Sequence, residues 1–328
     1  MKKASESELL RDIQAIFPTP EFVPLGIGDD AAAVKTKKGA LCLLSTDILV
    51  EHVHFELGFS NYHQIGRKAI AVNLSDIAAM GGNPTYFLVS LGLTQRQTIK
   101  DIQALYRGMR LESANRWTLI GGNISRCHET FFMSMTAIGE VLPHRLIKRS
   151  GAQIEDSLYV TGCLGEAAAG LALLKNGGGA QGEYARLIRR YRTPQARLKE
   201  GQLLAQAKIA SAMIDLSDGL SQGVLNIAEQ SHVGAEIYAD QLPISGALRR
   251  YALQHGTAPF DLALQGAEDY ELLFSVPRSR HRKLNRLIET HVLAARCIGK
   301  IVPKRRGCTI VTSEGEKPLK AGGYDHLS

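Results

Sequence analysis

The sequence has no paired cysteines, no long apolar run and few aromatic side chains. Its 328 residues include five scattered cysteines and no Cys-x-x-Cys spacing, at positions Cys42, Cys127, Cys163, Cys297 and Cys308. This pattern disfavours a disulfide framework or a zinc site and fits a reducing compartment. No segment approaches the roughly 20 apolar residues that a bilayer-spanning helix needs. We therefore expect a cytoplasmic protein without a membrane partner.

The two most basic clusters contain a single aromatic side chain, Tyr191. The formal net charge of +7 indicates an anionic partner, either nucleic acid or a phosphorylated small molecule. Because a stacking platform needs several interleaved aromatics, neither cluster forms one for single strands. We interpret them as solvated helix faces or loops and predict no nucleic-acid partner. The clusters are Arg186, Arg189, Arg190 and Arg192, then Lys304, Arg305 and Arg306.

The common nucleotide-binding motifs are absent or incomplete. No Gly-x-x-x-x-Gly-Lys-Ser/Thr, His-Arg-Asp or Asp-Phe-Gly occurs, which excludes the usual nucleotide-triphosphatase and protein-kinase designs. Gly26-Ile-Gly-Asp-Asp-Ala31 formally fits the dinucleotide fingerprint, but a turn-like segment follows where a long helix is required. Gly162 and Gly165 precede a predicted helix and either hold a phosphate or, as we favour, permit close strand–helix packing.

Five aspartates beside short apolar segments are the strongest positive signal. Carboxylates are costly in apolar surroundings unless their charge is compensated. Magnesium binds carboxylate oxygens and is commonly shared with substrate phosphates. Each residue alone could be a helix cap or turn former, but together they predict a magnesium–phosphate site. They are Asp30, Asp47, Asp76, Asp215 and Asp218. A further acidic segment, residues 268–271, is typical either of a solvated turn or of a site.

The order of predicted elements indicates an α/β (α+β) protein of two domains, 1–142 and 150–328. The first half reads as a helix near residues 5–17, a short strand at 41–44 with Ser45-Thr-Asp47 at its end, and a helix at 64–80. A strand at 86–93, a helix at 98–115 and strands at 117–120 and 131–141 follow. The second half begins with a strand at 157–161 and a helix at 166–175. Asp215 and Asp218 lie between a strand and a helix, and the acidic segment precedes a strand at 272–276.

Taken in order, these motifs resemble the thiamine-monophosphate kinase family. The resemblance spans almost the whole chain. Single motifs are shared with the wider aminoimidazole-ribonucleotide-synthetase-like superfamily, which includes selenophosphate synthetase and a hydrogenase-maturation protein. Three runs favour the kinase: His54-Phe, Gly-Ala-Glu-Asp-Tyr-Glu271 and Gly-Tyr-Asp-His326. The other matching runs are Gly-Ile-Gly-Asp-Asp30, Ser-Thr-Asp47, Ala-Val-Asn-Leu-Ser-Asp76-Ile-Ala-Ala-Met-Gly81, Gly-Gly-Asn123-Ile-Ser-Arg126, Arg149-Ser-Gly, Val-Thr-Gly162 and Asp215-Leu-Ser-Asp-Gly219.

The resemblance implies a magnesium-assisted, in-line transfer of the ATP γ-phosphoryl group to thiamine monophosphate, giving thiamine diphosphate and ADP. ATP would be a co-substrate, several Mg²⁺ ions would occupy the cleft, and K⁺ is an additional candidate ion. An N-terminal mixed sheet with helices would bind ATP and magnesium and form the interface of a homodimer. The C-terminal α/β domain would close the active-site cleft.

The resemblance also assigns roles by position. Asp218 and Arg149 would be catalytic, and His54, Glu268 and the Ala321 position would meet thiamine monophosphate. ATP would contact Tyr106, Gly121, Gly122, Asn123, Arg149 and Ser217. Metal ligands would be Asp30, Ser45, Thr46, Asp47, Asp76, Asn123, Asp215 and Asp218.

Two positions depart from the family pattern. Asn123 replaces the usual aspartate and brings no charge, so we predict that it weakens one metal position without abolishing the reaction. Ala321 replaces an aromatic that could stack on the substrate, which affects the expected thiamine affinity. Two other functions stay open: another ATP-dependent enzyme of the superfamily, acting on an amide, a carboxyl-like group or selenide, or a nucleotide-binding protein with reduced turnover because of Asn123. No cysteine precedes Cys42, which argues against selenide chemistry.

Overall fold

The computed structural model describes residues 21, 23–25, 29–36, 39–113, 117–178 and 182–322. The predicted opening helix, the glycines of Gly-Ile-Gly-Asp-Asp30 and the C-terminal Gly-Tyr-Asp-His326 run lie outside these residues. None of the described helices is both long and apolar enough to span a membrane.

The described residues form two sheets, and the first is a five-stranded mixed sheet with the order β1-β2-β5-β3-β4. β3 and β4 run parallel, and the other neighbours are antiparallel. Two helices, α1 and α2, cover one face, and their apolar side chains join those of the strands in a single core. The elements are β1 (Ala32–Lys35), β2 (Leu41–Val50), α1 (Tyr62–Ala79), β3 (Asn83–Leu93), α2 (Ile99–Ser113), β4 (Thr118–Arg126) and β5 (Phe132–Val141).

The second sheet has seven strands in the order β12-β11-β8-β10-β6-β9-β7. Its only parallel pair among the described strands is β8 with β11. The strands are β6 (Ser157–Thr161), β7 (Ala212–Asp215), β8 (Gly234–Tyr238), β9 (Leu272–Val276), β10 (Ala295–Val302), β11 (Cys308–Thr312) and β12 (Gly315–Pro318).

Seven α-helices accompany this second sheet within the described ranges. They are α3 (Glu166–Lys175), α4 (Ala185–Arg192), α5 (Leu198–Gln206), α6 (Leu220–Ser231), α7 (Gly246–His255), α8 (Pro259–Gln265) and α9 (His281–Glu289). Short 3₁₀ turns occur at Pro143–Arg145, Gly182–Tyr184, Ala239–Gln241, Arg278–Arg280 and Lys304–Arg306. The two-sheet α/β architecture confirms the predicted fold class.

Helix α1 packs between the two halves of the molecule. Its apolar stripe, including Ile70 and Ile77, faces the first sheet. Its C-terminal part meets α5, where a Cβ added to Gly201 would lie 2.1 Å from the carbonyl oxygen of Ala78. Only glycine permits this approach, which brings the two halves into direct contact along α1.

The N-terminus of α1 is set by a local signal. The Asn61 side chain accepts from the backbone N–H of Gln64, and the Gln64 side chain accepts from the backbone N–H of Asn61. This reciprocal capping satisfies backbone donors that the first helical turn leaves open. The helix begins at Tyr62, two residues before the predicted start, and ends at Ala79.

The prediction that Ser45-Thr-Asp47 lies at a strand end is wrong. β2 continues to Val50 because it pairs with β5 along its whole length, from Leu41 opposite Val141 to Val50 opposite Phe132. The three residues therefore lie in mid-strand, where successive side chains point to opposite faces. A second boundary also differs, since β3 begins at Asn83, three residues before the predicted start of the strand at residue 86.

Candidate functional site

Three aspartates distant in sequence meet between the two sheets. Asp30 precedes β1, Asp76 lies near the end of α1, and Asp215 ends β7. Each offers one carboxylate oxygen, and these oxygens all lie within 4.8 Å of one another. With Asp47, these residues are called the acidic centre below. Its members are fixed by a helix and strands rather than by long loops, which holds the oxygens in place.

Strand β2 contributes Ser45 and Asp47 to the same place. The Ser45 hydroxyl donates to Oδ2 of Asp76, and the charge of Asp47 acts on the same carboxyl group. Oδ2 of Asp47 is buried and has no hydrogen-bond partner among the described residues. Thr46 points to the opposite face, where its hydroxyl donates to the Met135 carbonyl at 3.0 Å. The structure thus brings Ser45 and Asp47 to the acidic centre but not the Thr46 side chain.

Burial and mutual repulsion raise the carboxyl pKa values of the acidic centre. The pKa of Asp47 rises to about 6, first through burial and then through the charge of Asp218. Burial, with the charges of Asp47 and Asp215, raises the pKa of Asp76 well above its usual range. Burial and the charge of Asp30 do the same for Asp215. Because like charges are crowded in low dielectric, a bound cation would stabilise the ionised forms.

Arg149 supplies positive charge at one edge of the acidic centre. Its guanidinium donates two hydrogen bonds to Asp30, from Nη2 to Oδ1 at 2.8 Å and from Nε to Oδ2 at 3.1 Å. The backbone N–H of Arg149 also donates to Oδ2 of Asp29 at 3.2 Å. Burial and the neighbouring Asp30 raise the pKa of Asp29 to about 7. Asp29 is a site residue that the sequence analysis did not assign, although it adjoins Asp30 in the motif.

The loop after β7 carries Asp215, Ser217 and Asp218 and is fastened to residues 268–271. The N–H of Glu268 donates to the Ser217 carbonyl at 2.7 Å, and the N–H of Tyr270 to the Leu216 carbonyl at 3.0 Å. The structure therefore places Ser217 and Asp218 beside the acidic centre, where the charge of Asp218 acts on Asp47.

Ser75 holds Asp215 in place. The Ser75 hydroxyl donates to Oδ2 of Asp215 at 2.7 Å, and both residues are buried. The sequence analysis missed this contact, although Ser75 directly precedes Asp76 in the quoted motif. Ser75 therefore contacts a carboxylate of the second half, whereas the adjacent Asp76 is bonded by Ser45 of the first half.

Two of the three predicted substrate residues, His54 and Glu268, meet at a buried lysine. Nζ of Lys68, on α1, donates to the His54 carbonyl at 2.8 Å and lies 2.6 Å from Oε1 of Glu268. Nδ1 of the His54 ring accepts from the N–H of Val50 at 3.0 Å, which orients the ring. Lys68 was not predicted from the sequence; its signal is a cation directly before the apolar helix residues 69–72.

Four predicted ATP contacts lie away from the acidic centre in the single chain. Tyr106 is part-buried on α2, and Gly121, Gly122 and Asn123 lie on the edge strand β4. Two strands separate β2 from β4, a distance of about 14 Å at the usual strand spacing. Asn123 shares its register row, and hence its sheet face, with Ile48 rather than with Asp47.

The local geometry of β4 fits this placement. The Asn123 side-chain oxygen accepts from the N–H of Ile124 at 2.9 Å. A Cβ on Gly122 would lie 1.8 Å from the Val89 carbonyl oxygen, so only glycine fits there. Ala321 is exposed in an irregular segment outside the helices and strands.

The acidic segment 268–271 is not a solvated turn. Asp269 and Glu271 are buried, and Glu271 is enclosed by cations. Arg197 donates to both Glu271 oxygens at 2.5 and 2.6 Å, Arg190 donates at 2.8 Å, and Thr161 donates at 2.6 Å.

Glu271, Arg190, Arg197 and the buried Glu166 are called the ion-paired cluster below. Arg190 also bonds Glu166 at 3.2 Å, so its interpretation as part of a solvated basic face is wrong. Buried carboxylates attract the guanidinium inward because neither charge is tolerated alone in low dielectric.

The predicted packing role of Gly162 and Gly165 fits the geometry better than a phosphate site. Oδ2 of Asp269 accepts from the N–H of Gly165 at 2.6 Å, and Oδ1 accepts from the N–H of Ala167 at 3.3 Å. The protein's own carboxylate therefore fills the N-terminus of α3. Burial raises the pKa of Asp269 to about 8.

The residues of the acidic centre fit a hard divalent cation. Three carboxylate oxygens converge, and a fourth carboxylate has a buried oxygen that no described residue hydrogen-bonds. The raised pKa values indicate that the negative charge is undercompensated. Magnesium selects oxygen ligands of this kind and shares them with phosphates. The arrangement can hold cations and polyphosphate together in a buried cleft.

Family models match both halves of the chain. The N-terminal domain of AIR synthase related proteins matches residues 28–141, and the C-terminal domain of the same family matches residues 153–311. The first match covers the five-stranded sheet, and the second covers the seven-stranded sheet as far as residue 311 in β11, without β12.

Two curated relatives cover nearly the whole chain. The thiamine-monophosphate kinase of Bacillus subtilis is 37% identical over 327 residues, which is 98% of this chain and 99% of the relative. The thiamine-monophosphate kinase of Salmonella typhimurium is 36% identical over 312 residues, covering 93% of each.

Solved structures of similar proteins share the fold of this chain. A structure described as AaThiL complexed with AMPPCP and TMP superimposes with a TM-score of 0.87 at 33% identity, covering 98% of this chain and 97% of the other. Thiamine monophosphate kinase from Aquifex aeolicus gives a TM-score of 0.80 at 32% identity, covering 92% and 95%. The hydrogenase maturation protein HypE of E. coli gives 0.71 at 20% identity over 96% of each chain, a likeness of fold.

Proposed function

The chain belongs to the thiamine-monophosphate kinase family, within the AIR synthase related proteins, and on that premise we propose that it transfers the γ-phosphoryl group of ATP to thiamine monophosphate. The products would be thiamine diphosphate and ADP. The observation that carries the proposal is the convergence of Asp30, Asp76 and Asp215 from both halves of the molecule on one buried point. The similarity to a relative described as holding AMPPCP and TMP together supports it.

The chemistry needs no dedicated general base. A phosphate monoester has a second pKa of about 6, so the acceptor is already largely an anionic nucleophile at neutral pH. The obstacle is repulsion between two polyanions that must be brought into line. Positioning and charge neutralisation supply most of the catalysis in such transfers.

The chain's own residues meet this need in distinct ways. Asp30, Asp47, Asp76 and Asp215, with Asp218 beside them, would hold Mg²⁺. When bound, magnesium would neutralise phosphate oxygens of the donor and acceptor. Ser45 and Ser75 fix the carboxylates by hydrogen bonds, and Arg149 would exchange part of its bond to Asp30 for phosphate oxygens.

We also propose a homodimer through the first sheet. The face that the helices leave open carries exposed Ile48, Tyr86 and Leu88, and edge strand β4 is exposed along its whole length. Such a surface favours burial against a second copy. Asn123 lies on this open face, so a dimer would place it beside the partner. The division into domains 1–142 and 150–328, the involvement of K⁺ and the cytoplasmic location stay predictions.

A coupled assay of ADP release, with and without thiamine monophosphate, tests the function. We expect release that depends on thiamine monophosphate and on Mg²⁺, with thiamine diphosphate formed in equal amount. ATP binding without turnover would instead support the nucleotide-binding alternative. Turnover with another acceptor only would support a different enzyme of the superfamily.

A further inference from the structure

Lys68 is a buried cation that connects the two halves of the molecule near the predicted substrate residues. Its side chain is 3% exposed. Its ammonium bonds the His54 carbonyl at 2.8 Å, pairs with Glu268 Oε1 at 2.6 Å and lies 4.2 Å from the centre of the Tyr191 ring. His54 and Lys68 belong to the first half, and Glu268 and Tyr191 to the second.

The contacts of Lys68 leave it no free donor for a ligand. An ammonium has three N–H groups. Two bond the oxygens of His54 and Glu268, and the third is directed to the ring face of Tyr191, a cation–π arrangement. Lys68 therefore acts on a ligand only through the groups that it holds.

Lys68 would act on a ligand through Glu268. Its backbone has φ +68°, a left-handed conformation that is uncommon for residues other than glycine. Its N–H is fixed by the Ser217 carbonyl at 2.7 Å, and Lys68 fixes Oε1. The Glu268 side chain is 21% exposed, and a carboxylate has two oxygens, so Oε2 stays available to a ligand.

The position of Lys68 matches the far end of an elongated substrate. Lys68 precedes Asp76 by eight residues on α1, which corresponds to about 12 Å along the helix axis. A phosphomonoester whose phosphate lies at the acidic centre would therefore extend its rings toward Glu268 and His54.

We propose that Lys68 is a positioning residue for the acceptor substrate, which holds Glu268 and the His54 turn together as one subsite for the nitrogen-containing rings. This inference rests on the proposed function. The Glu268 carboxylate, held by Lys68 through Oε1, presents Oε2 to an N–H group or to the positively charged ring of thiamine monophosphate. The ion pair to Lys68 also keeps the Glu268 side chain from turning to solvent.

A double-mutant cycle tests this role. Lys68→Met removes the charge at similar length, Glu268→Gln removes the carboxylate, and the double variant combines them. We expect Lys68→Met to raise the KM for thiamine monophosphate about tenfold, with kcat and the KM for ATP changed less than about threefold. In the Glu268→Gln background, Lys68→Met should add less than about twofold, because its effect passes through Glu268.

Two further variants separate positioning from folding. Tyr191→Leu removes the ring under the ammonium and should raise the KM for thiamine monophosphate about threefold, whereas Tyr191→Phe keeps the ring and should leave it unchanged. Arg306→Met breaks an ion pair to Glu236 on the seven-stranded sheet and should leave both KM values unchanged. If Lys68→Met fails to fold, the two Tyr191 variants test the role of Lys68 instead. The criterion is again a rise in the KM for thiamine monophosphate that the KM for ATP does not share.

The outcomes of these experiments distinguish failure of the proposed Lys68 role from failure of the proposed function. A wild-type protein without ADP release dependent on thiamine monophosphate overturns the proposed function. An active wild type with an unchanged or lower KM for thiamine monophosphate in Lys68→Met overturns the inference alone. Equal increases in both KM values, or additive effects in the cycle, would also overturn it, because they indicate a general structural role.

Discussion

The acidic centre and the ion-paired cluster both contain buried carboxylates, but the two regions differ in how the negative charge of these carboxylates is compensated. In the acidic centre, Asp47, Asp76 and Asp215 crowd together, and their pKa values are raised. In the ion-paired cluster, Arg190 and Arg197 enclose Glu271. The first arrangement is complete only with an external cation, whereas the second is complete within the fold. Undercompensated charge therefore identifies the ligand site, and paired charge identifies the scaffold that supports it.

The largest effect is expected from Asp76→Asn. Removal of a ligand carboxylate should lower kcat by about a thousandfold, because charge neutralisation at the phosphates is lost. The ligand-free variant should nevertheless melt several degrees higher, since burial and like-charge repulsion no longer oppose folding at this position. Steady-state ADP release and thermal melting measure the two effects.

A matched control for this variant is Asp240→Asn, at an exposed aspartate in a turn of the second half. It should change neither kcat nor the melting temperature. Unchanged kcat in Asp76→Asn would show that the acidic centre does not serve the reaction.

Glu271→Gln should give the opposite pair of effects. It removes the buried counter-charge of Arg197 and one of the two carboxylates that Arg190 bonds. Breaking a buried pair in this way costs about 3–5 kcal/mol of unfolding free energy. The folded fraction should keep kcat within about threefold. Urea unfolding and kinetics at a temperature where the variant is folded provide the test. A large loss of kcat at full folding would contradict the assignment of this cluster to the scaffold.

Magnesium should change stability in a pH-dependent way. The pKa values of Asp47 and Asp29 are raised to about 6 and 7, whereas aspartates in the unfolded chain titrate near 3.9. Between about pH 4 and pH 7 the folded protein therefore binds more protons, and these residues make stability fall as pH rises. Without metal, the melting temperature should be lower at pH 8 than at pH 5.5.

Added Mg²⁺ should raise the melting temperature more at pH 8 than at pH 5.5, because binding displaces protons at low pH. Melting curves in chelator and in excess Mg²⁺ at both pH values check this. The difference should shrink in Asp76→Asn. An equal magnesium shift at both pH values would argue against binding to these carboxylates.

The smallest effect is expected from Asn123→Asp. The predicted weakening of one metal position implies that a restored charge lowers the Mg²⁺ concentration for half-maximal rate by about threefold. Because Asn123 lies on the open face of the first sheet, this effect requires a second copy to bring the residue to a metal site. Magnesium titration of the rate, together with sedimentation to measure the oligomeric state, tests both points. No change in the magnesium requirement would remove Asn123 from the metal ligands.

The sequence permitted the two-sheet α/β fold and several elements to be predicted closely. Helix α3 and strands β6 and β9 have the predicted bounds, and α1 begins two residues before its predicted start. The length of β2 was missed, because it depends on pairing with β5. The inward turn of Arg190 was missed as well, since it depends on Glu166 and Glu271 far along the chain.

What the sequence by itself determined is the chemistry of the site: aspartates in ordered motifs, carried by segments whose local pattern fixes helix or strand. What only the tertiary structure decided is which charges meet. It brought Asp30, Asp76 and Asp215 together, directed Thr46 to the other face, and paired Lys68 with Glu268. The physical reason is that local patterns act over a few residues, whereas burial and charge compensation depend on contacts between segments far apart in the chain.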